Sequence, residues 1–279
     1  MSPIQFVAAL LVPLLWGVQF VTTKIGVAAI PPLLFGALRF AAVGVLLLPF
    51  AGRSTRREIT AAAVISVFFG GLGFGFYFAG LHLGSASLSA VVAQLMTPFT
   101  VLFAWIFTDE RPTFKVLMGT AVAFGGVALA LVDPNQEASA VAAILVACGA
   151  AAQGLGTVLI KRLGPLKPIR LLVWLSLFAA PQLMLASAWF EEGQLTALSH
   201  APVLAWLSLA YATLFGTIAA FGLWFWLATR CSLARIAPFP LLQTVVAIAA
   251  GVLFLHEPVT ALLVAGALIC TVGVVMTQV

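Results

Sequence analysis

Charged residues are scarce in this sequence. Asp, Glu, Lys and Arg make up 8% of its 279 residues, whereas a soluble domain carries about 25%. Hydrophobic residues account for 63%, which is more apolar surface than a soluble fold of this size can bury. The composition therefore excludes a water-soluble globular protein and indicates a protein that lies largely in a lipid bilayer.

Residues that support metal or enzyme chemistry are also few. The three cysteines, Cys148, Cys231 and Cys270, are odd in number and lack the spacing of metal ligands, so we expect neither a disulfide framework nor a zinc site. The sequence has no His-Glu-x-x-His and no Gly-x-Ser-x-Gly motif, which argues against an intramembrane enzyme. We therefore predict no catalytic residue, no metal and no cofactor.

Long apolar runs fill most of the chain. A transmembrane helix needs about 20 mostly apolar residues, and run length, charge clusters and Pro/Gly punctuation divide the chain into ten such spans. The fold class is thus predicted to be all-α integral membrane. The predicted spans are residues 4–26, 31–51, 59–82, 86–108, 113–132, 138–160, 169–190, 202–229, 233–255 and 259–277.

Basic residues are distributed unevenly among the connections. With ten spans, one side of the membrane receives nearly all of them, and the positive-inside rule makes that side cytoplasmic. Both termini are therefore predicted to be cytoplasmic, in a multi-pass protein of the cell inner membrane. Because the net charge of +5 is explained by topology, we expect no nucleic-acid partner. The predicted cytoplasmic group is Arg53, Arg56, Arg57, Arg111, Lys115, Lys161, Arg162, Lys167, Arg170, Arg230 and Arg235.

The second half of the chain repeats the first. Shifts of 147 and 137 residues align similar residues at the same points of helix-loop-helix units. The repeats are residues 4–132 and 138–277, with five helices each. Because five is odd, the second repeat enters the membrane inverted, which is usual in secondary transporters that bind their solute between the halves. The aligned pairs include Phe74 with Phe221, Thr97 with Thr244, Glu110 with Glu257, Gly119 with Gly266, and Lys24 with Lys161.

Several of these positions resemble a known family. The residues that carry the resemblance are Leu15-Trp16-Gly17, Lys24, Pro31-Pro32, Arg39, Ser85-Ala86-Ser87, Thr97-Pro98, Thr108-Asp109-Glu110-Arg111-Pro112, Gly119 and Gly126-Val127. Together they resemble the EamA-type repeat of the drug/metabolite transporter superfamily. The second repeat departs from it, with Val245 in place of the Pro98 proline and Ser176 in place of the Arg39 arginine.

That resemblance covers nearly the whole chain. It implies a ten-helix transporter that exports or exchanges small metabolites by alternating access, and it points to the bacterial amino-acid exporter branch, including aromatic amino-acid exporters. A multidrug exporter of the same superfamily is the alternative within the class, and a channel or an intramembrane enzyme is the alternative outside it. The expected partners are a small-molecule substrate and the bilayer, with a monomer and a homodimer both open.

Polar and aromatic side chains inside the spans are candidates for the solute pathway, because such groups tend to face a bundle interior or an aqueous cavity. For the polar residues the alternative is hydrogen bonding between helices, and for the aromatic residues it is the interfacial belt. We assign Trp224 and Trp226 to that belt. The predicted substrate-binding residues are Trp16, Gln19, Tyr77, Phe78, Gln94, Thr97, Pro98, Gln153, Thr157, Phe221, Gln243 and Thr244.

Two basic residues, Lys24 and Arg39, do not belong to the predicted cytoplasmic group. Arg39 is eight residues into the second span, about 12 Å deep, and either binds a substrate carboxylate or pairs with helix carbonyls. Lys24, near the outer end of the first span, is a second candidate charge partner or an interface anchor.

Acidic residues, in contrast, all lie at or near predicted helix ends. A proton relay commonly uses an intramembrane carboxylate or histidine, so a carboxylate-driven antiport is disfavoured. His82 and His256, at outer helix ends, are candidate gate or proton groups, with surface histidines as the alternative. The acidic residues are Glu58, Asp109, Glu110, Asp133, Glu137, Glu191, Glu192 and Glu257.

Overall fold

The computed structural model describes residues 1–108, 111–132, 140–163, 167–228, 230–231, 233–236 and 239–278, so the predictions for Asp109, Glu110, Asp133 and Glu137 lie outside the described part. All-helical architecture is confirmed. The ten apolar helices are α1 Pro3–Ala29, α2 Pro32–Phe50, α3 Arg56–Leu83, α4 Ala86–Phe107, α5 Phe114–Leu131, α6 Ala140–Leu163, α7 Pro168–Phe190, α8 Val203–Ala228, α9 Phe239–Leu255 and α10 Ala261–Gln278.

Nine of these helices, counted over the described ranges, are long and apolar enough to cross a membrane, and α9 is a shorter apolar helix. The predicted ninth span is divided, because residues Leu233–Ile236 form a separate short helix before α9. A further short helix, Gln194–His200, connects α7 to α8 and was not predicted. A tenth membrane crossing therefore stays a prediction.

Helix ends meet at two faces of the bundle. At one face, Arg170 at the start of α7 pairs with Glu58 at the start of α3 (Nη1 to Oε1, 2.9 Å) and donates from Nε to the Ala51 carbonyl (3.0 Å). Arg57 also donates to the carbonyl of Leu163, at the end of α6. We name this end of the bundle the basic face and the other end the opposite face.

At the opposite face, two carboxylates cap helix N-termini. Glu191, after α7, accepts from the amides of Leu33 (2.6 Å) and Leu34 (3.1 Å) at the start of α2. Glu257, after α9, accepts from the amides of Ala86 (2.6 Å) and Ser87 (2.9 Å) at the start of α4. Each cap satisfies amides that the helix leaves unpaired and complements the positive end of its dipole. Each also joins the first half of the chain to the second.

Both halves depart from α-helical geometry at equivalent positions. A π-helical segment occupies Ser66–Phe74 in α3 and another occupies Leu214–Ala219 in α8, and the 147-residue shift brings residues 214–219 onto 67–72. Helix α4 is interrupted at residues 94–95, while α9 begins with the 3₁₀ turn Phe239–Leu241. Irregular backbone is tolerated at membrane depth only where protein or a cavity surrounds it, so we expect these four segments to lie inside the bundle or along a cavity.

Proline explains the interruption in α4. Pro98 has no backbone N–H and cannot donate to the carbonyl of Gln94, four residues earlier. The amide of Thr97 donates to that carbonyl instead (3.2 Å). The tightened turn leaves Gln94 at the break between two helical segments.

Glycines form a seam between α5 and α10. A Cβ added to Gly126 would collide with the backbone of Cys270, and one added to Gly119 would come within 2.7 Å of the Gly273 carbonyl. The two helices therefore approach closely enough for backbone contact, as small residues permit in membranes. These glycines serve packing within one chain.

Candidate functional site

A cavity of about 400 Å³ lies between the two halves. It extends to Gln278, the last residue of α10, and includes Trp224 and Pro240 near the basic-face ends of α8 and α9. Because the opposite-face ends are joined by the Glu191 and Glu257 caps, we expect the cavity to open towards the basic face. Predicted site residues that line it are Trp16, Gln19, Arg39, Tyr77, Gln94, Thr97, Gln153, Phe221 and Gln243.

Aromatic rings form two walls of this cavity. In the first wall, the Trp16 ring centroid lies 5.4 Å from that of Phe221 and 6.2 Å from that of Trp224. In the second, Tyr77 lies 5.7 Å from Phe20 and 6.0 Å from Phe74, both edge to face. Such geometries stabilise aromatic clusters. The walls are equivalent in the repeat, since the 147-residue shift aligns Phe74 with Phe221 and Tyr77 with Trp224.

Arg39 lies in the cavity wall and is only 1% exposed. Its Nε and Nη2 atoms donate to the Thr217 hydroxyl at 3.1 and 2.7 Å. That hydroxyl in turn donates to the Ala212 carbonyl, five residues earlier (2.8 Å), so its proton is used and its lone pairs face the guanidinium. The π-helical segment of α8 thus positions Thr217 as an acceptor for Arg39.

Gln19 completes the surroundings of Arg39. With the amide oriented to satisfy its neighbours, the Gln19 oxygen accepts from Nη1 and Nη2 of Arg39 at 2.9 Å each, and its nitrogen donates to the Gly216 carbonyl at 3.1 Å. The Trp16 indole N–H donates to the same carbonyl (3.2 Å). Any side chain at Gly216 would collide with Gln19, which explains why that position is glycine.

The charge of Arg39 is surrounded by neutral groups. Its guanidinium carbon lies 5.0 Å from the centroid of the Phe74 ring and 5.7 Å from those of Phe40 and Phe78. Over the described residues, Arg39 forms no ion pair, and the cavity lining includes no acidic residue. Hydroxyl and amide oxygens with aromatic faces hold the cation, and in the part of the chain that the structure describes these take the place of the predicted pairing with helix carbonyls.

Gln94 presents an acceptor without a partner. Its Nε2 atom donates to the Thr244 hydroxyl (2.7 Å) and, at 3.4 Å, to that of Thr271. Its Oε1 atom is buried and accepts no hydrogen bond. Because an unpaired buried oxygen is costly, this atom is a candidate contact for a donor that enters the cavity.

Other predicted substrate-binding residues lie outside the lining. Phe78 is fully buried against Phe35, at 5.9 Å between ring centroids, and Pro98 is buried in α4. Thr157 donates to the Gln153 carbonyl (2.9 Å). Thr244 is buried behind Gln94, whose amide it accepts.

The remaining charged and titratable candidates belong to the opposite face. Lys24 donates from Nζ to the carbonyls of Leu81 (2.9 Å) and His82 (2.7 Å), at the end of α3. The Nδ1 atom of His82 lies 2.7 Å from the Val27 carbonyl. His256 is exposed and ends α9 with a left-handed backbone, φ 54°. Lys24 and His82 thus join α1 to α3, away from the cavity.

Sequence reasoning missed part of the site. Trp224 was assigned to the interfacial belt, but its ring packs on Trp16 and lines the cavity. Its repeat alignment with Tyr77 was the signal that could have identified it. Trp226, by contrast, packs under the Arg230 guanidinium, 4.8 Å from its carbon. The other lining residues missed are Phe20, Phe69, Phe74, Ala93, Met96, Val146, Ala150, Gly216, Pro240, Leu241, Val274 and Gln278.

Comparison with known proteins connects this architecture to a family. The profile of the EamA-like transporter family matches residues 4–132 and 140–279. The probable amino-acid metabolite efflux pump of Salmonella typhimurium is 30% identical over 276 residues, which cover 95% of this chain and 91% of that protein. The protein of the same name from Escherichia coli K12 is 29% identical, with coverages of 98% and 94%.

A solved crystal structure shares the fold. It superposes with a TM-score of 0.65 and 17% sequence identity, and the match covers 100% of this chain and 97% of the other. At that identity the likeness concerns the arrangement of helices alone.

Proposed function

This chain belongs to the EamA-like transporter family, and we propose that it exports amino acids, aromatic ones included, across the cell inner membrane. Family membership makes it a multi-pass membrane transporter and not an enzyme. The resemblance read from the sequence is confirmed at the level of the family. The solute, the direction and the mechanism are the proposed part.

The observation that carries the proposal is the cavity between the halves, with repeat-related walls and one closed face. Carriers that work by alternating access hold their solute between structural repeats and expose it to one side at a time. We place the basic face in the cytoplasm, since that face carries the arginine-rich connections. The ten helices then form two inverted five-helix units with both termini inside, and this conformation loads solute from the cytoplasm.

The lining supports an amphipathic solute of modest size. Two aromatic walls offer apolar contact, while Gln94, Gln153, Gln243 and Arg39 offer hydrogen bonds, the usual division of labour in a small-molecule site. The relatives named probable amino-acid metabolite efflux pumps support amino acids as the class. A lipophilic drug cation fits less well, because the lining includes Arg39 and, within the described residues, no acid.

The test is counterflow in sealed proteoliposomes loaded with unlabelled phenylalanine or leucine, with the labelled amino acid outside. Saturable accumulation that excess unlabelled amino acid abolishes supports the proposal. A pH gradient is imposed in a parallel set, and indifference to it supports uncoupled exchange. If neither amino acid exchanges but labelled lipophilic cations do, the amino-acid assignment is wrong and the multidrug alternative takes its place.

A further inference from the structure

Arg39 carries a positive charge that no acidic side chain balances within the described residues. A charged group without an ionic partner is expensive at membrane depth, and such residues mark solute or ion pathways. Its present acceptors, the Thr217 hydroxyl and the Gln19 amide, are both neutral. Guanidinium binds carboxylate through two parallel charge-assisted hydrogen bonds, which are about twice as strong as neutral ones.

Gln19 occupies the place that a carboxylate would take. One neutral oxygen of its amide receives both Nη atoms of Arg39 at 2.9 Å. Gln19 also lines the cavity, so rotation of its side chain would expose the guanidinium to a solute. The Gly216 carbonyl would keep a donor during that rotation, because the Trp16 indole also donates to it.

Gln94 supplies the opposite pole. Its Oε1 atom lacks a hydrogen-bond donor, its side chain is 5% exposed, and it lines the same cavity. The Nε2 atom donates to the Thr244 hydroxyl on α9, and in this orientation of the amide the oxygen has no hydrogen-bond donor. An ammonium group is a donor-only group with three hydrogens, and it matches this acceptor.

We propose that the cavity recognises the zwitterionic part of an amino acid, an inference that rests on the proposed function. Arg39 binds the carboxylate in place of Gln19, and Gln94 Oε1 binds the ammonium. The aromatic walls then receive the side chain. The cavity thereby selects amino acids over their amides and over the corresponding acids that lack the amine.

The test of the carboxylate pole compares ligands that differ by one group. Binding of phenylalanine and of phenylalaninamide to the purified full-length protein is measured by calorimetry, at a pH where both amines are protonated. Loss of a charge-assisted hydrogen-bond pair predicts that the amide binds at least about tenfold more weakly. In Arg39→Gln the ratio of the two dissociation constants, amide over amino acid, should fall to about one. Arg39→Lys keeps the charge but cannot form two parallel hydrogen bonds, so its ratio should lie between those of Arg39→Gln and the wild type.

The ratio separates recognition from a structural role. A variant that merely loosens the bundle weakens both ligands alike and leaves the ratio unchanged, which would overturn the proposal. Should Arg39→Gln not fold, Arg39→Lys alone decides, since a ratio in that variant equal to the wild-type ratio contradicts carboxylate recognition by the guanidinium.

The ammonium pole is tested with Gln94→Leu. Phenylalanine is compared with 3-phenylpropanoate, which lacks the amine, and the wild-type preference should shrink several-fold in the variant. Gln182→Leu is the control, because the partly buried Gln182 also donates to a hydroxyl, that of Ser66 (2.8 Å), but is not among the residues that line the cavity. Equal effects in the two variants would overturn the role of Gln94.

These outcomes are distinct from those of the transport test. Counterflow of phenylalanine without discrimination between acid and amide would retain the proposed function and reject the recognition by Arg39. Discrimination without amino-acid counterflow would retain a carboxylate site and reject amino-acid export. If amino acids do not exchange, the carboxylate site is tested by comparing the binding of 3-phenylpropanoate with that of its amide, 3-phenylpropanamide.

Discussion

The two ends of the bundle join the same two halves by different chemistry. At the opposite face, the Glu191 and Glu257 carboxylates accept directly from backbone amides at helix N-termini. Around the cavity, the halves meet through side chains, with Arg39 on Thr217 and Gln94 on Thr244. Carboxylates hold the helix ends at the opposite face, whereas at the cavity the groups that accept from Arg39 and Gln94 are neutral hydroxyls, which a solute could replace. A carrier that works by alternating access must be able to open the capped face and to close the face at which the cavity is open.

Thiol labelling offers the sharpest test of that difference. In a chain whose native cysteines are replaced by alanine, Thr97→Cys in the cavity should react with a membrane-impermeant reagent from the basic face. Ser87→Cys, at the capped start of α4, should stay unreactive from either side, because position 87 is 1% exposed and its backbone amide is held by Glu257. Labelling in right-side-out and inverted vesicles measures both. Reaction of the two positions from the same side would contradict the described closure.

Removal of the Glu257 cap should weaken the closure of the opposite face. Glu257→Ala deletes the acceptor of two amides and the Ser87 hydroxyl, and we expect a loss of about 3 kcal/mol from the closed opposite face. Increased labelling of Ser87→Cys from the opposite face would report it. Glu192→Ala, an exposed carboxylate beside Glu191, is the control and should change nothing. Unaltered labelling in Glu257→Ala would show that the cap does not hold the face closed.

Two glycines of α8 should respond differently to a methyl group. At Gly216 an added Cβ collides with Gln19, while at Gly222 nothing lies within 4 Å. We expect Gly216→Ala to destabilise the protein by about 1 to 3 kcal/mol through overpacking, and Gly222→Ala to be neutral or stabilising. Thermal unfolding in detergent measures the difference. Equal melting temperatures would mean that Gln19 moves aside without cost.

The smallest expected effect comes from a comparison of two tryptophans of α8. Trp224 packs on Trp16 in the cavity, whereas Trp226 packs beside Arg230. Replacement of Trp224 by Leu should weaken solute affinity by up to about tenfold, given roughly 0.5 to 1.5 kcal/mol per aromatic contact. Replacement of Trp226 by Leu should leave affinity unchanged. Half-saturation of counterflow is the measurement, and equal losses would return Trp224 to the interfacial belt.

Much of the helical framework was predictable because apolar run length decides it. The first span, predicted as residues 4–26, is Pro3–Ala29, and the seventh, predicted as 169–190, is Pro168–Phe190. Proline at the first turn and charged connections mark such ends in the sequence. The helix Gln194–His200 escaped prediction since it is short and lacks an apolar run. The π-helical segments escaped because their backbone follows from contacts across the halves.

Residue type predicted which residues are candidates for the site, but not which side of its helix each candidate occupies. Polar and aromatic residues inside spans identified Gln19, Gln94 and Tyr77, which line the cavity, yet equally identified Thr157 and Phe78, which do not. Which face of a helix meets the cavity depends on its neighbours. Trp224 shows the same limit, because only the repeat alignment distinguishes it from its neighbour Trp226.

The sequence by itself determined that this protein lies in a membrane, that it is built of apolar helices in two related halves, and that it belongs among transporters. The first two follow from composition, run length and internal repetition, and the third from the residues that resemble the EamA-type repeat. The tertiary structure alone decided that Arg39 meets Thr217, 178 residues away, that Gln94 keeps one oxygen unpaired, and that one face is closed. Those depend on contacts between residues far apart in the chain, on α2 with α8 and on α4 with α9, which no local pattern records.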